Sequence, residues 1–301
     1  MALLSSGSPT HSRATKAPPP IPGLYLFTPP HEGDDEDGAS AGPEKSPAWP
    51  ITHALEESLL QTLTTSYFHS GEDQAMLFGT SSKGFPPALG DLLRVVRVIL
   101  ETCVHEASGR TPADALLQLP TSRSDLESSP PKNTPTLREH QMQSFTPSEN
   151  RPNPRAEILD LIFPAHEHLK RQAIINFYLP GEGITPHVDL LGRYADGIVG
   201  VSLGSGCVMT FAEVVAANPT PEDSQLGDAQ PSKETPPRRY DVYLPRRSVI
   251  VLSGPARYDW AHSIEEQAED WVDGELIARR ERLSVTFRWM LEGADVVGCE
   301  M

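Results

Sequence analysis

The chain is short of several things, and each scarcity closes a route. Only three cysteines occur in 301 residues, Cys103, Cys207 and Cys299, with no paired spacing. Neither a disulfide framework nor a cysteine zinc site follows from them; free thiols in a reducing compartment, the cytoplasm or nucleus, are expected. Basic residues are outnumbered, 25 Lys and Arg against 41 Asp and Glu, for a formal charge of −16. Tight non-specific binding of a polyanion therefore lacks its usual source, and only a local basic patch would supply it. No apolar run approaches the roughly 20 residues of a membrane helix, so no membrane span is expected. Acids are missing from the first twenty residues, which are rich in Ser and Pro and carry Arg13 and Lys16. A mitochondrial transit peptide has that composition and so does a disordered tail; the tail is the reading adopted for 1–21.

What is abundant is punctuation, 30 Pro and 22 Gly. The acidic stretch 31–47 and the Ser/Thr/Pro/Asn-rich span 107–155 read as loop or low-complexity insert, and 214–238 reads as a long loop between strands. Between them, 52–68 places Leu55, Leu59, Leu60 and Leu63 at helical spacing, and 88–104 repeats that pattern behind Pro86-Pro87. From 171 onward the texture changes to short β-branched and aromatic runs broken by Gly and Pro, the pattern of a sandwich or barrel. The expected class is α+β: a helical, substrate-lid part over 22–106, the insert 107–155, and an all-β core over 156–301.

Chemistry concentrates in "NFYLPGEGITPHVD" and two later segments. Alternate residues of a strand share a face, so Asn176 and Tyr178 oppose Ile175 and Phe177. Past the Pro180–Gly183 turn, an extended chain would point His187 and Asp189 the same way, as a two-ligand metal clamp requires. In "RLSVTFR", Arg282, Ser284, Thr286 and Arg288 form a polar face against Leu283, Val285 and Phe287. That suggests a polar cavity, with a solvated face as the plain alternative. Arginine pairs bidentately with carboxylates, yet six residues of extended strand separate Arg282 from Arg288 by about 20 Å. One ligand would meet both only on a curved strand. His262, in "RYDWAHSI", is the one histidine after His187. Together with His187 and Asp189 it would complete the facial triad of non-haem iron(II) oxygenases, mixed N/O ligands without thiolate favouring iron over zinc. Taken singly, each feature has an ordinary explanation: chance His-x-Asp, a hydrogen-bonded histidine, salt-bridged arginines, and packing for Trp260.

In order, N-x-Y-x-P-G-x-G-I-x-x-H-x-D, S-L-G-S, R-Y-x-W-x-H-x-I and R-x5-R resemble the AlkB-like iron(II)/2-oxoglutarate dioxygenases, over about Gln172 to Met290. "IPGLYLF" and "QAMLFG" followed by "FPPALGDLL" resemble that family's N-terminal region more weakly. The resemblance implies a double-stranded β-helix, or jelly roll, flanked by N-terminal helices. It implies Fe(II) held by His187, Asp189 and His262, with 2-oxoglutarate and O2 as cosubstrates. Arg282 would bind the remote carboxylate with help from Tyr178; Asn176 and Arg288 would lie near the chelating end, and Ser284 falls within the same cosubstrate set. The reaction implied is hydroxylation of a C–H bond, or demethylation when the carbon is an N-methyl group. Base-repairing members carry an acid two residues past the metal-binding Asp, where this chain has Leu191, and some have Asn at the position of Ser284. Both departures favour an RNA or tRNA base over DNA, with a protein side chain or a catalytically silent interaction module as alternatives. Tyr194 and Phe78 are candidates for stacking on a base, packing being the other role for each.

Overall fold

Short β-branched and aromatic runs become two facing antiparallel sheets in the computed structural model of the chain, which describes residues 14–30, 48–69, 71–79, 84–107, 154–164, 170–214 and 237–294. The larger sheet has six strands, in the order β1 (Leu24–Phe27), β8 (Val249–Leu252), β5 (Ile198–Leu203), β12 (Arg282–Trp289), β3 (Arg171–Tyr178) and β2 (Gln74–Gly79). The smaller has four, β4 (Ile184–His187), β9 (Trp260–Ile264), β6 (Cys207–Glu213) and β7 (Arg239–Leu244). From β3 onward the strands of these two sheets alternate between them, except that β6 and β7, consecutive among the described strands, lie side by side in the smaller one. That winding is the double-stranded β-helix of a jelly roll, and the fold is α+β as expected.

Three helices cover the outer face of the larger sheet: α1 (His53–Tyr67), α2 (Pro87–Ala107) and α3 (Pro154–Ile162). Thr52 caps α1 by accepting from the Leu55 amide at 3.2 Å, the usual role of a hydroxyl ahead of a first turn. Leu59 and Leu63 of α1, Leu89, Leu92, Val96 and Ile99 of α2, and Ile158 and Ile162 of α3 bury against Ala173, Ile175, Val201, Leu283, Val285 and Phe287. Truncating a core aromatic such as Phe287 to Ala costs about 3–5 kcal/mol. This packing consumes one face of β3, β5 and β12 and leaves the other for the barrel interior.

The structure departs from expectation in four places, the first being α3, a helix at the start of the part expected as an all-β core over 156–301. The part over 22–106 is not only helical, since it supplies β1 and β2, which pair with β8 and β3 and extend both edges of the larger sheet. Edges left open by four barrel strands are thereby covered. The tail expected over 1–21 is placed from Ala14 on: Ala14 and Thr15 bridge in parallel to Val272 and Val242, and Ala14 is buried. A hairpin of β10 (Glu269–Val272) and β11 (Glu275–Ala278) also precedes β12, turning at Asp273-Gly274 with positive φ at both. Most of the inserts 107–155 and 214–238, and all of 31–47, lie outside the described residues.

Candidate active site

Pairing of β12 with β3 sets Arg282 opposite Tyr178, Ser284 opposite Asn176, Thr286 opposite Ile174 and Arg288 opposite Gln172. The alternation read from "RLSVTFR" holds: Leu283, Val285 and Phe287 face the helices, while Arg282, Ser284, Thr286 and Arg288 line one cavity between the sheets. Asn176, Tyr178, His187, Asp189 and His262 line it too, so all the candidate residues converge there. Ile184, Ile198, Met209, Leu244 and Ile250 make the rest of the wall apolar. Asn176 sits one rung from the Arg282–Tyr178 pair and two from Arg288, and its Oδ1 accepts from Gln74 Nε2 at 2.7 Å.

The histidines meet because β4 runs antiparallel to β9 with His187 directly opposite His262, their ring centroids 4.4 Å apart. Gly183 permits this approach, since a Cβ there would lie 2.2 Å from the Ile264 carbonyl oxygen. Two residues past His187, Asp189 brings Oδ2 to 4.0 Å from His262 Nε2. His187 Nδ1 lies 2.9 Å from the Thr185 carbonyl. With Nδ1–H donating there, Nε2 keeps its lone pair, an arrangement common around metal-binding histidines.

Arg288 forms a buried ion pair with Asp189, donates from Nε to Gln172 Oε1 at 3.1 Å, and lies 3.8 Å over the Tyr194 ring. Burial pulls the Arg288 pKa below its ordinary value against the opposing pull of Asp189. At the other end of the strand, Arg282 donates to Ser202 Oγ at 2.9 Å and lies 5.3 Å over the Tyr178 ring. Burial raises the Tyr178 pKa, which the Arg282 charge and hydrogen bonds to Ser284 and Asn176 only partly offset. The His262 pKa falls to about 4, first through burial and then through the neighbouring His187. The ring is thus neutral at physiological pH, the form that binds metal.

Buried atoms of the site without partners among the described residues test whether it suits iron and a dicarboxylate: Arg282 NH1, His262 Nδ1 and Gln172 Nε2. A carboxylate beside Arg282 would satisfy the first, and an unmet buried guanidinium N–H is costly without one. Among the described residues no trio of His, Cys, Asp or Glu is closed around a cation; Asp189 is instead engaged with Arg288. The donor set, two imidazoles and one carboxylate on adjacent segments, nonetheless fits a facially bound iron(II). Sequence reasoning overlooked Gln172, Gln74 and Ser202, which support Arg288, Asn176 and Arg282. Gln172 was within reach, because it shares the period-2 face of Asn176 and Tyr178.

The aromatic candidates separate. Tyr194 is buried under Arg288, whereas Phe78 is 44% exposed and Met76 55%. Gln74, Met76 and Phe78 share one face of β2, and the register sets Met76 beside Ile174 and Phe78 beside Gln172. Met76 and Phe78 thus form an exposed apolar shelf on the strand beside the Ile174 and Gln172 rungs, toward the Arg288 end. A shallower cleft at the opposite end carries Asp73, Glu182 and Glu266, and it repels anions. Trp260 is core, packed on Tyr240.

A family model described as the 2OG-Fe(II) oxygenase superfamily matches residues 96–288, more than half of the chain. The uncharacterized protein L905 of Acanthamoeba polyphaga mimivirus is 37% identical over 117 residues, 39% of this chain and 47% of the viral protein. The "alkylated DNA repair protein ALKBH8 homolog" of Arabidopsis thaliana is 34% identical over 118 residues, 39% of this chain and 33% of the plant protein. The mouse "tRNA (carboxymethyluridine(34)-5-O)-methyltransferase ALKBH8" is 35% identical over 106 residues, 35% of this chain and 13% of the mouse protein. The chain thus spans less than half the length of these relatives.

Proposed function

The chain belongs to the 2OG-Fe(II) oxygenase superfamily and is AlkB-like, and from that premise we propose that it hydroxylates or oxidatively demethylates a modified base in RNA, tRNA foremost. It is a dioxygenase, with Fe(II) as its cofactor and 2-oxoglutarate and O2 as its cosubstrates. In this reading His187, Asp189 and His262 hold the metal, Arg282, Tyr178, Ser284 and Asn176 hold 2-oxoglutarate, and Arg288 stands at its chelating end, engaged with Asp189. The convergence of all of them on one cavity carries the assignment. Iron bound there supplies the O2 activation that couples decarboxylation of 2-oxoglutarate to succinate with insertion of oxygen into a substrate C–H bond.

The protein's own share is placement. Arg282 offers its unmet N–H to the remote carboxylate, and the apolar wall excludes water from the reacting centre. Arg288 orients the Asp189 carboxylate. If the oxidised carbon is an N-methyl group, its hydroxylated product breaks at the C–N bond, releasing formaldehyde and returning the proton to nitrogen. The shelf of Met76 and Phe78 suits a flat base, which gains from stacking whatever its identity. A tRNA substrate is supported by the name of the mouse relative, and exposed Leu191 in place of an acid supports RNA over DNA repair. Buried Cys207, free of a disulfide, suits the cytoplasm or nucleus.

The test is anaerobic loading with Fe(II) and 2-oxoglutarate, then O2, with succinate and oxidised bases measured on total tRNA, mRNA, DNA and peptides. Base-dependent succinate release, abolished in His187→Ala, is expected. Turnover stimulated by peptides and not by RNA would replace the base with a protein side chain. Phe78→Ala should lower kcat/KM for RNA about tenfold, the scale of one lost stacking contact, while substrate-free succinate release stays at the wild-type rate.

A further inference from the structure

We propose that Arg257 is a positioning residue that staples the segment carrying Asp189 to the helix leading into His262, holding the metal ligands in register; this rests on the assignment of His187, Asp189 and His262 to iron. Arg257 lies on the short helix α4 (Pro255–Tyr258), directly ahead of β9, and only 2% of it is exposed. A charged side chain buried so deeply needs several acceptors, and its acceptors here are backbone carbonyls. NH1 donates to the Asp189 carbonyl at 3.0 Å, and NH2 to the Tyr194 carbonyl at 3.3 Å and, more distantly, the Leu190 carbonyl at 3.5 Å.

The segment it grips has little else on that side. Leu190 and Leu191 are 61% and 57% exposed, so neither anchors the turn by burial. Within it, the Arg193 and Tyr194 amides close back on the Leu190 carbonyl at 3.1 Å. Its far edge is tied to the end of β12, through Ala195 to Trp289 and Leu291 to Arg193. The near edge, where Asp189 leaves β4, is tied by Arg257. A second link joins the same elements, because the Gly254 amide donates to the Asp196 carboxylate at 3.1 Å. Arg288 therefore fixes the Asp189 carboxylate, while Arg257 fixes its backbone and ties that backbone to the element delivering His262. Only a planar fork of donors spans carbonyls that diverge in this way; a lysine ammonium is one point at the end of a stem.

Mn(II), a redox-inert probe, reads the effect without turnover. Arg257→Lys and Arg257→Gln should bind Mn(II) about 10–100-fold more weakly, the usual loss when a ligand's support is removed. Affinity for 2-oxoglutarate at saturating Mn(II) should stay at the wild-type value. Unchanged Mn(II) affinity in folded Arg257→Lys would overturn the staple. Should neither variant fold, hydrogen exchange on the wild type decides. Mn(II) must then slow exchange in 190–194 and 255–258 together, and protection of 190–194 alone would overturn the proposal. A wild type that does not bind Mn(II), or an Asp189→Ala variant that binds it as well, sinks the iron-site reading instead.

Discussion

Two arginines six positions apart on β12, equally buried by the same sheet, stand in opposite conditions. Arg288 is committed within the protein: its guanidinium pairs with Asp189, bonds Gln172 and covers Tyr194. Arg282 has a single hydroxyl partner, Ser202, and an NH1 with none. A buried unmet donor costs free energy; at the Arg288 end it is only the neutral Gln172 Nε2, set back from the cavity lining, whereas on Arg282 it is a guanidinium N–H in that lining, built for an acceptor that arrives from outside. The Arg288 end is a support for a side chain the protein already owns. In the proposed reading the difference separates a ligand-binding arginine from an orienting one, which composition and spacing treat as identical.

The largest effect should come from removing Arg282. Arg282→Met loses a charged, desolvated contact of about 2–5 kcal/mol, so 2-oxoglutarate binding should weaken about thirtyfold or more. Metal binding in the absence of 2-oxoglutarate should not change. Arg282→Lys keeps the charge without the fork and should fall between the two. Wild-type 2-oxoglutarate affinity in Arg282→Met, measured by titration calorimetry on the metal-loaded protein, would remove the residue from its role. Arg288→Met should act the other way, weakening metal affinity about 10–100-fold, since it frees the Asp189 carboxylate. Equal and parallel losses of both ligands in both variants would erase the distinction between the ends.

Much of this site was legible before any coordinates. The period-2 face of "RLSVTFR" placed Arg282, Ser284, Thr286 and Arg288 in a cavity because a strand allows only two directions, and the helices needed the other one. His187 and Asp189 followed from spacing. That His262 belongs with them depends on the pairing of β4 with β9, a long-range register no local pattern encodes. The N-terminal strands escaped for a related reason: "LYLF" and "QAMLFG" become strands because the barrel offers them edges. Asp273-Gly274 was a turn signal in plain view and went unread. Buried Glu56 had no local signal, for on α1 it occupies a polar-looking position that tertiary contacts turn inward onto Arg246 at 2.6 Å. Arg257 lay inside a recognised motif, yet its value comes from carbonyls of another segment.

The smallest effect separates the metal end from the cosubstrate end by pH alone. His262 has a folded pKa of about 4, against about 6.5 in an unfolded chain. Between those values the unfolded chain holds a proton that the folded protein does not, so acid favours unfolding. Stability of the metal-free protein attributable to His262 is therefore complete above pH about 6.5 and is lost as pH falls toward about 4, where the folded ring also protonates. Urea melts at successive pH values should show this decline, and His262→Gln should flatten that part of the slope. Arg282→Met leaves this step in place, because Arg282 is not among the groups shifting His262, whereas Arg288 is one of the charges holding its pKa down. Arg288→Met should therefore narrow the window from its acid side, and an equal change in both arginine variants would show that the two ends share one electrostatic field.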